Sequence, residues 1–385
     1  VLVPYLLALP GGVRRVLGDG LPRLDRCDVR YVELGRNQAD MDEMAAAGVA
    51  VDRTIGVPGR GMLSERAGVG RVVDLARAAP RLLAMVLRLR PALRASDVAY
   101  VHGFRELLLV VLARAGLAPR HRPAVVWHCH GEISRRRAGV ARRLARACHS
   151  VIAVSDHTAR TLARLGIPED RIVRIHNAVP QRAGASSSAG DWLRPERPLL
   201  VASAALREKK GAHVAVEALA ALPQAYVLWV TGDDADASAR ACAADLRSRA
   251  ERLGVAQRLR FLGYVRDVPT LMRDVYAVLC PSVWDEPFGL VAIEPMTVGT
   301  PAVVSDRGAL PEVVDGGRAG LVFPAGDPAA LAREVLRLED GALRAALVAR
   351  AHEHVRTRFG YERWADEVQE LLERAVPARA RGGAP

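Results

Sequence analysis

The chain has 385 residues, 50% hydrophobic and 25% charged, a globular composition whose length favours two domains and excludes a disordered chain or a single small module. Its longest unbroken apolar run, Leu107 to Ala113, is far short of the roughly 20 residues that span a bilayer, and five scattered cysteines without a C-x-x-C pair argue against a disulfide framework or a cysteine zinc site and for a reducing cytoplasm. The net charge of +12 sits wholly in the first half, where residues 1–185 hold 30 Arg against 16 acidic residues, while the chain's two lysines are neighbours, Lys209 and Lys210.

Val1 to Leu7 reads as a strand rather than a signal peptide, because it has no basic segment, no small-residue cleavage site, and runs into a Gly-Gly turn. Further strands are predicted at Val29 to Leu34, Val98 to Val101, Ala124 to Trp127, Ser150 to Val154 and Ile172 to Ile175, each alternating with amphipathic stretches. Residues 181–198, rich in Ser, Gly, Ala and Pro, read as a linker. Beyond it, strands are predicted at Leu199 to Ala204, Tyr226 to Thr231, Leu259 to Gly263, Ala277 to Pro281, Ala302 to Ser305 and Gly320 to Phe323. From Asp327 to Ala375 the pattern is helical. The alternation predicts an α/β chain of two Rossmann-like domains. The first covers 1–182 and the second 199–360, with a linker at 183–198, a crossover helix at 361–376 and a disordered tail at 377–385.

In open α/β sheets ligands gather at the carboxyl ends of strands, so the following loops are where chemistry is sought. Gly11 and Gly12 follow the first strand and precede a helix, which suits either a tight turn or a phosphate approached by backbone N–H groups. In W-H-C-H-G-E, Trp127 to Glu132, His128 and His130 fall on one side of an extended segment. They fit a polar contact to substrate, a metal pair that lacks a third ligand at sensible spacing, or a buried structural histidine. Lys210 and Gly211 stand between a strand and a helix, where a compact ammonium suits phosphate or a solvated loop. In W-D-E-P-F-G-L-V-A-I-E-P, Pro287 reads as a first helical position and Gly299 as the stop, giving a helix of about 12 residues that Pro295 should bend. Glu286 at its mouth and Glu294 about two turns in lie too far apart to act as one tight pair; they suit hydroxyls on separate parts of an elongated ligand. The N–H groups around Phe288, Gly289 and Leu290 would meet its phosphates.

The stretch E-P-F-G-L-V-A-I-E, followed by G-T-P-A-V-V-S and G-A-L-P-E-V-V-D-G-G, resembles the donor-binding core of the retaining glycosyltransferases of family 4. The resemblance extends over nearly the whole chain, through Gly11-Gly12, the histidine loop, I-H-N-A-V at Ile175 to Val179 and the Lys-Gly loop. It implies a GT-B fold, with two domains facing a cleft and the C-terminal helices returning to the N-terminal domain. It further implies retention of configuration without a metal ion or cofactor. By the same resemblance Glu286 contacts donor sugar hydroxyls and Glu294 the nucleotide ribose. Lys210 binds the diphosphate with N–H groups of Gly12, Gly289 and Leu290, and His130, rather than His128, lies beside the reacting sugar. Ala205 stands where family members often carry a basic residue, so either Arg207 substitutes for it or the diphosphate has one charge fewer.

The expected partners are a nucleotide-sugar donor, UDP-linked before GDP-linked, and a small-molecule, metabolite or lipid-linked acceptor. The arginine-rich segments Pro80 to Arg94 and Arg135 to Ala147 suit an anionic partner or peripheral contact with the inner membrane face, or are simply solvated. No aromatic stacking platform accompanies the charge, so nucleic acid is not expected. A nucleotide-sugar epimerase of the same fold and a non-catalytic nucleotide-sugar binder are the rival readings.

Overall fold

The computed structural model describes residues 1–5, 11–34, 38–52, 69–181 and 196–376. It divides into two units, one of residues 1–178 with the segment from Tyr361 onward, the other Val179–Gly360. The crossing thus falls at 178/179 rather than 182/183, because the Val179 N–H donates to the Phe359 carbonyl and joins the second unit. Most of the predicted linker and the whole predicted tail lie outside the described residues.

In the first unit the order is β1 (Leu2–Tyr5), α1 (Gly11–Gly20), β2 (Arg30–Glu33), α2 (Gln38–Ala46), β3 (Ala50–Asp52), α3 (Val69–Arg94), β4 (Val98–Val101), α4 (Phe104–Ala115), β5 (Ala124–Cys129), α5 (Ala138–Ala145), β6 (Ser150–Ala153), α6 (Asp156–Arg164) and β7 (Ile172–Arg174). Seven parallel strands align in the order β3-β2-β1-β4-β5-β6-β7. The interior strands β1, β4 and β6 are buried at every position, which is why they appear in the sequence as largely apolar runs rather than alternating ones. β3 is the strand that no apolar run announced. It is an edge strand of three residues, none fully buried.

The second unit repeats the plan: β8 (Arg197–Val201), α7 (Ala212–Ala221), β9 (Tyr226–Thr231), α8 (Ala237–Arg252), β10 (Leu259–Gly263), α9 (Val268–Met272), β11 (Ala277–Cys280), α10 (Leu290–Ile293), β12 (Ala302–Ser305), α11 (Leu310–Val313), β13 (Leu321–Phe323), α12 (Pro328–Arg337) and α13 (Gly341–Arg358). Its six strands are ordered β10-β9-β8-β11-β12-β13, the doubly wound order. β8 begins inside the predicted linker because Arg197 and Pro198 pair in register with Tyr226 and Val227.

The last helix, α14 (Tyr361–Ala375), belongs to the first unit, while α12 and α13 stay with the second. The return to the first unit is therefore made by α14 alone. Trp364 is fully buried against α1, where a Cβ on Gly20 would lie 2.6 Å from its ring. The Tyr361 hydroxyl donates to the Arg15 carbonyl at 3.2 Å, and Gln369 Oε1 accepts from the Arg26 N–H at 2.7 Å.

Helix starts follow local chemistry. Ser155 caps α6, its hydroxyl accepting from the Thr158 N–H at 2.9 Å. Ser155→Ala should cost about 1 kcal/mol of the first unit's stability, read as a lower urea midpoint; an unchanged midpoint would remove the cap from the account.

Candidate functional site

At the switch point of a doubly wound sheet the two central strands send their loops in opposite directions and leave a crevice at their carboxyl ends. In the second unit those strands are β8 and β11. The loop after β8 closes with a 3-10 turn at Glu208–Lys210, and Gly211 then takes φ +73° before α7. A Cβ on Gly211 would lie 1.7 Å from the Pro281 carbonyl oxygen, so only glycine lets this loop rest on the end of β11. The Val283 N–H donates to the Lys209 carbonyl at 3.0 Å and locks the approach.

That approach brings Lys210 Nζ within 2.7 Å of Glu286 Oε1. The same oxygen accepts from Ser282 Oγ at 2.6 Å and Trp284 Nε1 at 3.0 Å. Glu286 is buried, and its Oε2 has no partner among the described residues. Three donors thus hold the carboxylate by one oxygen and leave the other able to accept. Lys209 Nζ lies over the Trp284 ring at 3.5 Å from its centroid. Glu286 is also fixed through its backbone: its carbonyl accepts from the Ala309 N–H at 2.8 Å, and a Cβ on Gly308 would meet its backbone nitrogen at 2.3 Å.

The expected 12-residue helix is corrected. Helix α10 begins at Leu290, not Pro287, because Gly289 turns the chain at φ +99°. At Glu294 it tightens into a 3-10 turn through Val298 with Pro295 near its start, and Gly299 ends it at φ +77°. Glu294 is buried. Phe288 is buried too, its ring edge-on to Phe359 at 5.8 Å. The thiol of Cys280 at the end of β11 is pushed up, first by burial, then by the charge of Glu286 against the opposing pull of Lys210, with Glu294 adding to the rise. Arg207 is drawn elsewhere, to Asp236 at 2.5 Å, the residue that caps α8.

In the first unit the central strands are β1 and β4. Gly12 lies exposed in the first turn of α1. His102 follows β4 directly, and the register that pairs Val101 with Trp127 sets His102 beside His128, with His130 two residues beyond. His102 Nδ1 lies 2.9 Å from His130 Nε2, and the Tyr100 hydroxyl lies 2.7 Å from His128 Nδ1. Ligand atoms of the three histidines all lie within 4.8 Å of one another. A metal needs lone pairs converging on one point. The rings of His128 and His130 stack, with centroids 4.0 Å apart and planes 28° apart, each of the three rings keeps one buried nitrogen without a partner among the described residues, and His102 is the third candidate ligand that the sequence spacing lacked. Burial holds all three rings in the neutral form, lowering His130 to about 3 and His102 and His128 well below the ordinary histidine value. Of the two histidines in W-H-C-H-G-E, His128 is fully buried and His130 reaches the surface.

Sequence reasoning missed Ser282, Trp284, Tyr100 and His102. For His102 a signal was present: β4 and β5 both run out into His-Gly, at His102-Gly103 and His130-Gly131.

The family described as glycosyl transferases group 1 matches residues 190–354, and the one described as glycosyltransferase family 4 matches 41–182. The lipopolysaccharide core biosynthesis mannosyltransferase LpcC of Rhizobium leguminosarum bv. viciae is 32% identical over 61% of this chain and 67% of its own length. The chain belongs to glycosyltransferase family 4. Another relative of this family 4 chain, a phosphatidyl-myo-inositol mannosyltransferase of Mycobacterium leprae, is 32% identical over 58% of each chain. The chain spans about a third to two thirds of the length of the curated relatives it matches. Its fold is GT-B, shared with Anabaena HepE in complex with UDP and glucose at a TM-score of 0.81 and 23% identity, over 97% of this chain and 99% of that one. Among the described residues no helix is long and apolar enough to cross a membrane.

Proposed function

We propose that this chain is a retaining, metal-independent glycosyltransferase. It moves a sugar from a nucleotide sugar, UDP-linked before GDP-linked, to a hydroxyl of a small-molecule, metabolite or lipid-linked acceptor. The observation that carries this reading is Glu286, held on Oε1 by Lys210, Ser282 and Trp284 with Oε2 open. A carboxylate so held presents its second oxygen to the hydroxyls of the donor sugar. The Lys210 ammonium has three N–H donors and gives one to Glu286. The others serve the diphosphate leaving group, beside N–H groups of Gly289, Leu290 and Gly12. Phe288, its ring buried, contributes its backbone. Glu294 takes the ribose and His130 the reacting sugar.

Charge develops on the leaving phosphate as the sugar becomes cationic, and preset donors stabilise that charge without rearranging. Because Glu286 is occupied with hydroxyls and Lys210, a covalent two-carboxylate route has no nucleophile here. The acceptor hydroxyl therefore attacks from the face the phosphate leaves, and the phosphate takes its proton. The UDP complex of HepE supports the donor class, and the lipopolysaccharide and phosphatidylinositol enzymes support a lipid-linked acceptor. Exposed Arg135, Arg136 and Arg137 beside exposed Val140 suit an anionic surface reached from the cytoplasm.

The test is thermal stabilisation by UDP-glucose, UDP-N-acetylglucosamine and GDP-mannose, followed by nucleotide release with and without acceptor. Stabilisation by one nucleotide class and acceptor-dependent release support the reading; acceptor-independent release means an epimerase, and none at all a binder. Glu294→Ala should weaken donor binding by about tenfold or more, the loss of a hydrogen bond to a charged group. Unchanged affinity by calorimetry would remove the ribose assignment.

A further inference from the structure

The donor reading leaves His102 without a task, yet it is buried at the head of β4 with Nδ1 against Nε2 of His130. We infer that His102 is a positioning residue that, through this 2.9 Å contact, fixes the orientation of His130 and ties the tautomer of His130 to its own. The inference deepens the proposed function and rests on it for what His130 meets, but not for the bond itself.

Two neutral imidazoles can bond in this way only if one contributes an N–H and the other a lone pair. When His102 donates, His130 carries its own hydrogen on Nδ1, so both rings are Nδ1–H tautomers. When His130 donates, its Nδ1 is a lone pair and the His102 hydrogen sits on Nε2, so both rings are Nε2–H tautomers. The bond therefore couples the two rings in one shared tautomer, while His130 Nδ1, His102 Nε2 and His128 Nε2 are all buried without a partner among the described residues. The bond also fixes the ring. A half-turn about the Cβ–Cγ axis would bring a carbon toward His102 and lose the contact, while the stacked ring of His128 blocks tilting on one side. His128 does not compete for the bond, because its Nδ1 faces the Tyr100 hydroxyl and its register holds it within β5.

The test begins with proton–nitrogen correlation spectra of the imidazoles in the full chain, with His130 assigned through His130→Asn. Wild type should show His102 and His130 in the same tautomer, His102→Phe an altered tautomer balance at His130, and His102→Asn, whose amide can stand where Nδ1 stood, a balance closer to wild type. An unchanged tautomer in His102→Phe overturns the inference, as does one tightly held zinc ion per chain in the purified protein. In transfer assays His102→Phe should lower kcat by about tenfold or more with little change in donor KM, and His102→Asn should recover most of the loss, as expected for the loss of a group that orients a histidine. Equal losses in both variants, in step with lowered melting temperature, would make His102 merely structural. If wild type transfers no sugar, the proposed function falls while the spectra still decide the His102–His130 bond.

Discussion

Gly211→Ala is expected to destabilise the second unit by about 2–5 kcal/mol, the sum of left-handed backbone strain and a forced shift of packed backbone. Its Cβ would sit 1.7 Å from the Pro281 carbonyl oxygen and 2.6 Å from the carbonyl carbon. Those atoms are backbone at the end of β11 and cannot step aside as a flexible side chain would. The loop must lift instead, and with it Lys210 leaves Glu286. Turnover should therefore fall about a hundredfold or more, the scale of one lost transition-state donor. Gly254→Ala is the control. Gly254 has φ +68° but nothing within 4 Å of the added Cβ, so it should cost about 1–2 kcal/mol and leave turnover alone. Equal urea midpoints for the two variants would show that close approach is not what position 211 requires.

Acidification from pH 7 to pH 5 should destabilise the first unit by about 2 kcal/mol or more. His102, His128 and His130 are kept neutral by burial, each with its proton affinity lowered in the fold. A depressed histidine contributes its full share above the unfolded value near 6.5. Below it the unfolded chain binds protons that the folded chain refuses, and stability is lost as pH falls, for His130 down to about 3. The slope is about 1.4 kcal/mol per pH unit for a ring that stays neutral, so roughly 2 kcal/mol for His130 by pH 5, with His102 and His128 adding in the same direction. Denaturant unfolding at pH 7, 6 and 5 reads the total, and His102→Phe should shallow the decline by one ring's share. An identical slope in that variant would mean that His102 is not held neutral.

Most strands were legible because a doubly wound sheet buries both faces of its central strands, which forces runs such as Val98 to Val101. β3 was not, since an edge strand of three partly exposed residues needs no such run. The helix after Glu286 was misplaced because Pro287 has the right residue type for a start, whereas the start is set by the left-handed turn at Gly289, where a Cβ would meet Leu310 at 2.6 Å. Lys210, Glu286 and Glu294 could be picked out because a short loop carries each spacing. Ser282 and Trp284 lie in the same loop, but which oxygen of Glu286 they hold depends on its fold. His102 and His130 are 28 residues apart and meet only through the register of β4 on β5.

The first unit is assembled from both ends of the chain, the second from one unbroken stretch. Synthesis runs from the N-terminus, so the second unit is complete before the ribosome has delivered Tyr361 to Ala375. Until then the surface of α1 that receives Trp364 stands open to water. The half of the protein made first is thus the last to be finished. A transcript cut short before Tyr361 would yield a whole second unit beside an unclosed first one, a product that quality control would meet as an exposed apolar groove rather than as a missing activity.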